Sequence, residues 1–240
     1  MIIIPAVDIK NGKCVRLSQG KADQETVYYD NPSECAAMWH EQGAKNLHVI
    51  DLDGAFDGKD VNLSVIKDLV ASMPEMEIQV GGGIRNPEIA SRYLDEIKVS
   101  KVIIGTLAIK QPQLVCQLAA TYPNRIYISY DMKDGKIRSE GWLKEASVSI
   151  QDSLESFSQA PLGGLIVTDI KNDGMLRGVD AAAFTNLAEM TSLPVIAAGG
   201  ITNLQDIQAL KDTGKIAGVI CGKSIYEKTL DLRQAIALVQ

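Results

Sequence analysis

Two seven-residue stretches of the chain nearly coincide: VDIKNGK at 7–13 and YDMKDGK at 130–136. Each places an aspartate, Asp8 or Asp131, at the end of an apolar run, and these aspartates lie 123 positions apart. Three further landmarks repeat at almost the same offset. Gly82-Gly83-Ile84 returns as Gly199-Gly200-Ile201 after 117 positions, and Gly105 returns as Gly222 after 117. Asp51, following HVI, returns as Asp169, following IVT, after 118. Four features in one order, with a period near half of a 240-residue chain, imply two stacked copies of one structural unit.

The pattern between these landmarks identifies the unit. Short β-branched runs recur at 2–7, 47–50, 78–80, 102–104, 126–129, 165–168, 195–197 and 219–221. Several are apolar throughout, as strands covered on both faces are. Helical signals lie between most of them. Asn86-Pro87-Glu88 supplies a cap, a first-turn proline and an acid, followed by Ile89, Tyr93 and Ile97 at spacings of four. Pro32 opens another helix, with Cys35, Met38 and Trp39 on one face, ending near Gly43; Phe184 with Leu187, and Leu204 with Ile207 and Leu210, mark two more. Strand–helix alternation predicts a parallel sheet with helical crossovers. Eight strands in this length match a (β/α)8 barrel. An open doubly wound sheet is the competing arrangement, but it would give no reason for the repeat. The reading is an α/β chain forming one (β/α)8 TIM barrel domain over 1–240, built from half-barrels of about 1–122 and 123–240.

The repeated features fall at the C-terminal ends of the predicted strands, the rim that carries the active site in this fold. Asp8 and Asp131, on the first and fifth barrel strands, are thereby expected over one mouth. Two carboxyl groups facing a shared substrate suit acid–base chemistry, one ionised and one held protonated. The structural alternative is that each merely accepts backbone N–H bonds at a strand end. Thr168, Asp169 and Asp173, after the sixth strand, are further candidates, whereas Asp51 and Asp53 are expected to hold loops in place.

Glycine-rich turns flank the pair of acids. Gly82, Gly83 and Arg85 follow the third strand, and Gly105 and Thr106 the fourth. Gly199 and Gly200 follow the seventh; Gly222, Lys223 and Ser224 follow the eighth and open a short helix. Such turns let backbone N–H groups approach an anion, although each one alone could be only a tight turn. Two pairs, each after adjacent strands, predict two phosphate sites half a turn apart around the ring. A ligand with a phosphate at each end would span the mouth above Asp8 and Asp131.

Other features narrow the class. The net charge is −6 with no strongly basic stretch, which argues against nucleic acid. No apolar run reaches membrane-spanning length and no leader is recognised at the N-terminus, so a cytoplasmic protein is expected. Cys14, Cys35, Cys116 and Cys221 form no CxxC pair and read as reduced thiols. The segment DLDGAFD at 51–57 is no calcium loop, because its glycine is misplaced and position twelve is Asn62. His40 and His48 have no ligand-spaced partner, and no metal or cofactor is called for. Lys171 stands where a Schiff-base lysine could sit, without a neighbour to lower its pKa. Trp142, after Gly141 in the loop following the fifth strand, either stacks on a flat ring or packs the loop. Segments 10–30 and 131–147 are long and polar, and are expected to be lids.

MIIIPAVDIKNGKCVRLSQG, DLDGAF, VGGGIR, SYDMKDGKI, EGW, VTDIKNDG and AAGGI, in this order from the first strand to the last, resemble the phosphoribosylformimino-AICAR-phosphate isomerase family of histidine biosynthesis. The resemblance implies a barrel of half-barrel ancestry and a substrate with two phosphoribosyl groups; a monomer is expected. It also implies a cofactor-free Amadori rearrangement of an aminoaldose to its aminoketose. In the family pattern Asp8 is the proton acceptor and Asp131 the donor, with Thr168 matching the threonine after strand six. Asp173, before Gly174, is sometimes assigned as the acid instead. Arg16, Trp142 and Gly174 join the glycine turns as expected substrate contacts. Met175 departs from the threonine common after Asp-Gly. Two other activities remain open at this point. One is the sister imidazole glycerol phosphate synthase cyclase, whose first strand commonly reads Cys-Leu-Asp where this chain has Ala6-Val7-Asp8. The other is a dual isomerase that also accepts phosphoribosylanthranilate. A non-catalytic phosphosugar-binding protein is a third, from a different class.

Overall fold

The computed structural model describes residues 1–18, 21–58, 61–139, 142 and 144–240, with the side chains at 18, 21–24 and 57 left out. Gly141 therefore lies outside the described residues. Twelve strands are found among them: Ile2–Lys10 (β1), Lys13–Ser18 (β2), Lys21–Tyr29 (β3), Asn46–Asp51 (β4), Glu77–Gly81 (β5), Lys101–Ile104 (β6), Ile126–Lys133 (β7), Lys136–Ser139 (β8), Lys144–Glu145 (β9), Gly164–Asp169 (β10), Val195–Ala198 (β11) and Ile216–Cys221 (β12). Eight of them pair in parallel, in the ring order β1, β4, β5, β6, β7, β10, β11, β12 and back to β1. All eight expected strands are members, and the sheet closes into a (β/α)8 barrel.

Strand alternation sorts the core into two layers. Ile4, Ala6, Ile103, Ile166, Ile196, Ala198 and Ile220 fill the barrel, with Tyr127 packed against them. The intervening residues, such as Ile3, Val7, Ile9, Ile126, Ile128, Tyr130, Leu165 and Val167, join the larger cluster between sheet and helices. Because side chains alternate with a period of two, this fixes the direction of the next residues along each strand. Asp8 shares the inward face with Ile4 and Ala6, Asp131 with Tyr127, and Thr168 with Ile166.

Side-chain caps open the expected helices, one of them the cap read at Asn86. Asn31 accepts from the Ser33 N–H at the start of Pro32–Glu41. Asn86 accepts from the Ile89 N–H at the start of Pro87–Ser91. Asn203 and Asp206 make a reciprocal capping box on Leu204–Asp212. The helix expected through Ile97 widens into a π turn at Arg92–Ile97 and stops at Lys98, which is left-handed at φ 68°. No helix among the described residues is long and apolar enough to cross a membrane.

The two segments expected to be polar lids are built differently. Segment 10–30 is largely strand: β2 folds back antiparallel on β1, and β3 on β2. In 131–147, β8 folds back on β7, and β9 on β8. The reason is local. Asn11 and Gly12 (φ 50° and 76°) and Asp134 and Gly135 (φ 50° and 76°) are both left-handed. Positive φ at both central residues is the two-residue hairpin turn favoured by Asn-Gly and Asp-Gly. The duplicated VDIKNGK and YDMKDGK are thus two matched hairpins, each carrying its aspartate on the first arm.

Candidate active site

Asp8 lies where β1 emerges from the barrel, with its Oδ2 2.9 Å from Nη1 of Arg16. The β1–β2 hairpin makes this contact. Asp8 is registered opposite Val15, and Arg16 is the next residue along β2. Burial pushes the Asp8 carboxyl up to about 6; Arg16 opposes the shift and Asp173 adds to it. Burial works against the Arg16 charge, but Asp8 and Asp173 outweigh it and hold the guanidinium firmly protonated. The Arg16 guanidinium lies against the bare Cα of Gly222, where a Cβ would come within 2.1 Å of Nη2.

Across the ring, Asp131 is registered beside Thr168. It accepts side-chain hydrogen bonds from Thr168 and from Trp142. Burial pushes this carboxyl also up to about 6, the two hydrogen bonds hold it back, and Asp173 again adds to the rise. Trp142, left-handed at φ 71°, thus touches one of the two expected acids, a contact its place in a polar loop could not reveal.

Asp173 follows β10 in a turn closed by the Asp173 N–H to Asp169 O bond of 2.9 Å. Its carboxyl is raised by burial, with Arg16 lowering it, Asp169 raising it and Lys223 lowering it. Its charge is felt by both Asp8 and Asp131. The rim therefore holds three partly buried carboxyl groups that communicate electrically, opposed by Arg16 and Lys223.

Beside them opens a solvent-reached cleft lined by Arg16, Asn172, Asp173, Gly174, Leu176, Gly199, Gly200, Gly222, Lys223 and Ser224, among others. Ser224 Oγ is buried without a hydrogen-bond partner, as is Arg16 Nε. Two cations and two orphaned polar atoms in one cleft suit an anion. The glycines shape this cleft chiefly by letting loops touch. A Cβ on Gly199 (φ 85°) would come within 2.5 Å of Asp169 O, and one on Gly200 (φ 81°) within 2.6 Å of Gly178 O.

The other half has the same construction. Gly82 (φ 95°) and Gly83 (φ 72°) would bring a Cβ within 2.1 Å of Asp51 O and 2.6 Å of Gly54 C. Gly105 (φ −96°, ψ −92°) and Gly222 (φ −104°, ψ −112°) hold nearly the same backbone at the starts of Thr106–Lys110 and Lys223–Tyr226. The halves differ in charge. Arg85, expected at a phosphate, sends its Nη2 to Ala55 O at 3.1 Å and Gly54 O at 3.4 Å. It braces the short helix Leu52–Asp57 that follows β4.

Asp51, expected to hold a loop, caps the helix Leu52–Asp57, and Asp53 within that helix holds the Asn11 turn. Asp51 Oδ1 accepts from the Gly54 N–H and from Asn62 Nδ2, and Asp53 Oδ2 accepts from Asn62 Nδ2 and the Asn11 N–H. Asn62 Oδ1 accepts from the Gly12 N–H. Sequence reasoning missed this buried asparagine, which ties the Asn11-Gly12 turn to the β4 loop. His48 Nδ1 pairs with Gln79 Nε2, and burial pushes the imidazole down to about 3, so it stays neutral. Among the described residues no group of three or more His, Cys, Asp or Glu side chains could hold a metal ion.

The family model described as histidine biosynthesis protein matches residues 2–231. The chain belongs to that family. It is 46% identical over 238 residues to a 1-(5-phosphoribosyl)-5-((5-phosphoribosylamino)methylideneamino)imidazole-4-carboxamide isomerase from Hahella chejuensis, covering 98% of this chain and 97% of the relative. It is 44% identical to isomerases of the same name from Acinetobacter baylyi (100% and 98% covered) and Vesicomyosocius okutanii (98% and 97%).

Proposed function

We propose that this protein is an aldose–ketose isomerase of histidine biosynthesis. It would convert a bisphosphorylated aminoaldose, the substrate named for its relatives, into the aminoketose by an Amadori rearrangement. The observation that carries the reading is the pair of inward-facing carboxyl groups on opposite strands of one rim, one beside Arg16 and the other held by Thr168 and Trp142, each pushed by burial up to about 6. Both protonation states are then accessible at neutral pH, as acid–base catalysis needs.

The steps follow from the chemistry of the substrate. Asp131, protonated, gives its proton to the furanose ring oxygen as the C1–O bond breaks, leaving a protonated imine between C1 and the nitrogen. The imine acidifies the adjacent C2–H. Asp8, ionised beside Arg16, takes that proton, and the electron pair forms the C1–C2 enamine. Tautomerisation of the enol at C2 gives the ketone. Thr168 and Trp142 orient Asp131; Asp173 keeps both partners from becoming too acidic. Arg16, Lys223, Ser224, Gly199, Gly200, Gly222 and Gly174 hold one phosphate. Gly82, Gly83, Gly105 and Thr106 hold the other through backbone groups, with Arg85 stiffening the neighbouring loop. Each proton-transfer group contributes about 10²–10⁴ in rate, and two-ended anchoring supplies orientation. The residues at the rim provide for a small-molecule partner; a monomer in the cytoplasm completes the proposal.

The test is turnover of the purified protein on the aminoaldose, with and without ammonia. Ketose formation independent of ammonia supports the isomerase. Ammonia-dependent imidazole formation from the ketose supports the cyclase, and binding without conversion supports a phosphosugar-binding protein. A parallel assay with phosphoribosylanthranilate settles dual use.

A further inference from the structure

β1 carries Asp8, yet one of its edges is interrupted just below that residue. β12 pairs with β1 only over Ile2 to Pro5. β2 takes up β1 only from Asp8 onward. Among the described residues, Ala6 and Val7 thus have no strand partner on that edge. The Tyr226 hydroxyl fills the gap and donates to the Ala6 carbonyl at 2.7 Å.

Tyr226 is well placed to fix more than one carbonyl. It ends the short helix Lys223–Tyr226, whose first residues line the anion pocket. Its hydroxyl is 3.4 Å from Cys14 Sγ on β2 and 3.3 Å from Cys35 Sγ on the helix Pro32–Glu41. Its ring meets Trp39 edge-on at 5.3 Å and Tyr28 of β3 at 4.7 Å. Tyr28 in turn donates to the carboxylate of Glu227. Burial keeps the Tyr226 hydroxyl protonated throughout the working pH range. One side chain therefore joins the pocket helix, the strand of Asp8 and the hairpin of Arg16.

We propose that Tyr226 is a positioning residue for the isomerisation: its hydroxyl bonds the interrupted edge of β1 and sets Asp8 against the substrate carbon held by the phosphate pocket. The inference rests on the proposed role of Asp8 as base. Misplacement of a reacting group by about 1 Å can cost on the order of a hundredfold in rate, so loss of this bond acts on kcat.

The test is Tyr226→Phe, which keeps the ring contacts and removes the bond to Ala6, assayed with the aminoaldose carrying hydrogen or deuterium at C2. The expected result is a fall in kcat of about tenfold to a hundredfold, KM within about twofold, and a larger deuterium effect on kcat than in the wild type. Cys35→Ala, which removes a neighbour of the hydroxyl but leaves the Ala6 bond, should retain wild-type kcat. An unchanged kcat and isotope effect in Tyr226→Phe would overturn the inference while wild-type turnover leaves the proposed function standing. An equal loss in Cys35→Ala would also overturn it, by showing that packing alone is at work. Absence of wild-type turnover on this substrate would overturn the proposed function and this inference together.

Discussion

Replacing Asp131 with asparagine should make the protein more stable at neutral pH while abolishing turnover. Burial lifts this carboxyl from 3.8 to about 6; the Thr168 and Trp142 donors hold it back, Asp173 adds to the rise, and no cation compensates. An acid whose native pKa lies above its unfolded value carries a cost. Above pH 6 both states are ionised and the folded state bears the full desolvation penalty. Between 6 and 3.8 the folded state takes up its proton first and the penalty shrinks. Below 3.8 both states are protonated and it vanishes. A shift of about two units at 1.36 kcal/mol each gives an upper bound of about 3 kcal/mol. For a chain of this size that is up to about 6–12 °C in Tm. Asparagine keeps the shape and an acceptor for Thr168 or Trp142, and carries no charge. The assay is thermal unfolding of wild type and Asp131→Asn from pH 4 to 8. The expected gap favours the variant, is widest at pH 8 and closes by pH 4. A variant that is equally stable or less stable at pH 8, or a gap that does not depend on pH, would refute the claim that this carboxylate is held at the expense of stability.

The other predictions probe the same rim. The kcat/KM profile should be a narrow bell around pH 6, since ionised Asp8 is lost below it and protonated Asp131 above it; a flat profile from pH 5 to 8 would contradict both assignments. Arg16→Met should move the acid limb to higher pH, because Arg16 opposes the rise at Asp8; titration of the rate locates the limb, and a downward move would count against the pairing. Gly222→Ala puts a methyl within 2.1 Å of Arg16 Nη2, and should cost at least about tenfold in kcat/KM with little change in Tm, measured by steady-state kinetics and thermal melts. Gly82→Ala meets the Asp51 backbone at 2.1 Å in a left-handed conformation, and should instead destabilise the fold by at least about 1–3 kcal/mol in urea unfolding.

What the sequence made legible follows from which interactions are local. The eight barrel strands were readable because continuous apolar runs such as 102–104 and 195–197 need cover on both faces, whatever their neighbours. Asp8 and Asp131 were readable as a facing pair because the repeat fixed equivalent strands, and the period of two then aimed them inward. The hairpins were missed although Asn11-Gly12 and Asp134-Gly135 are strong turn signals; length and polarity suggested open loops instead. The Arg16–Asp8 contact depends on antiparallel register after that turn, so it was hidden with the hairpin. Arg85 stands in a glycine-rich motif that suits a phosphate, but its long side chain finds the carbonyls of Gly54 and Ala55, which only the folded ring brings near. Asn62 and Tyr226 lie far along the chain from the turns and strands they fasten, and no spacing rule connects them.

The central claim is that Asp8 removes the substrate proton from a site whose grip on the ligand is built elsewhere on the rim. Its most direct test is the turnover of Asp8→Asn together with the substrate Kd of that variant. The expected result is a fall in kcat of about 10²–10⁴ with Kd within a few-fold of wild type. Turnover near the wild-type rate would contradict it.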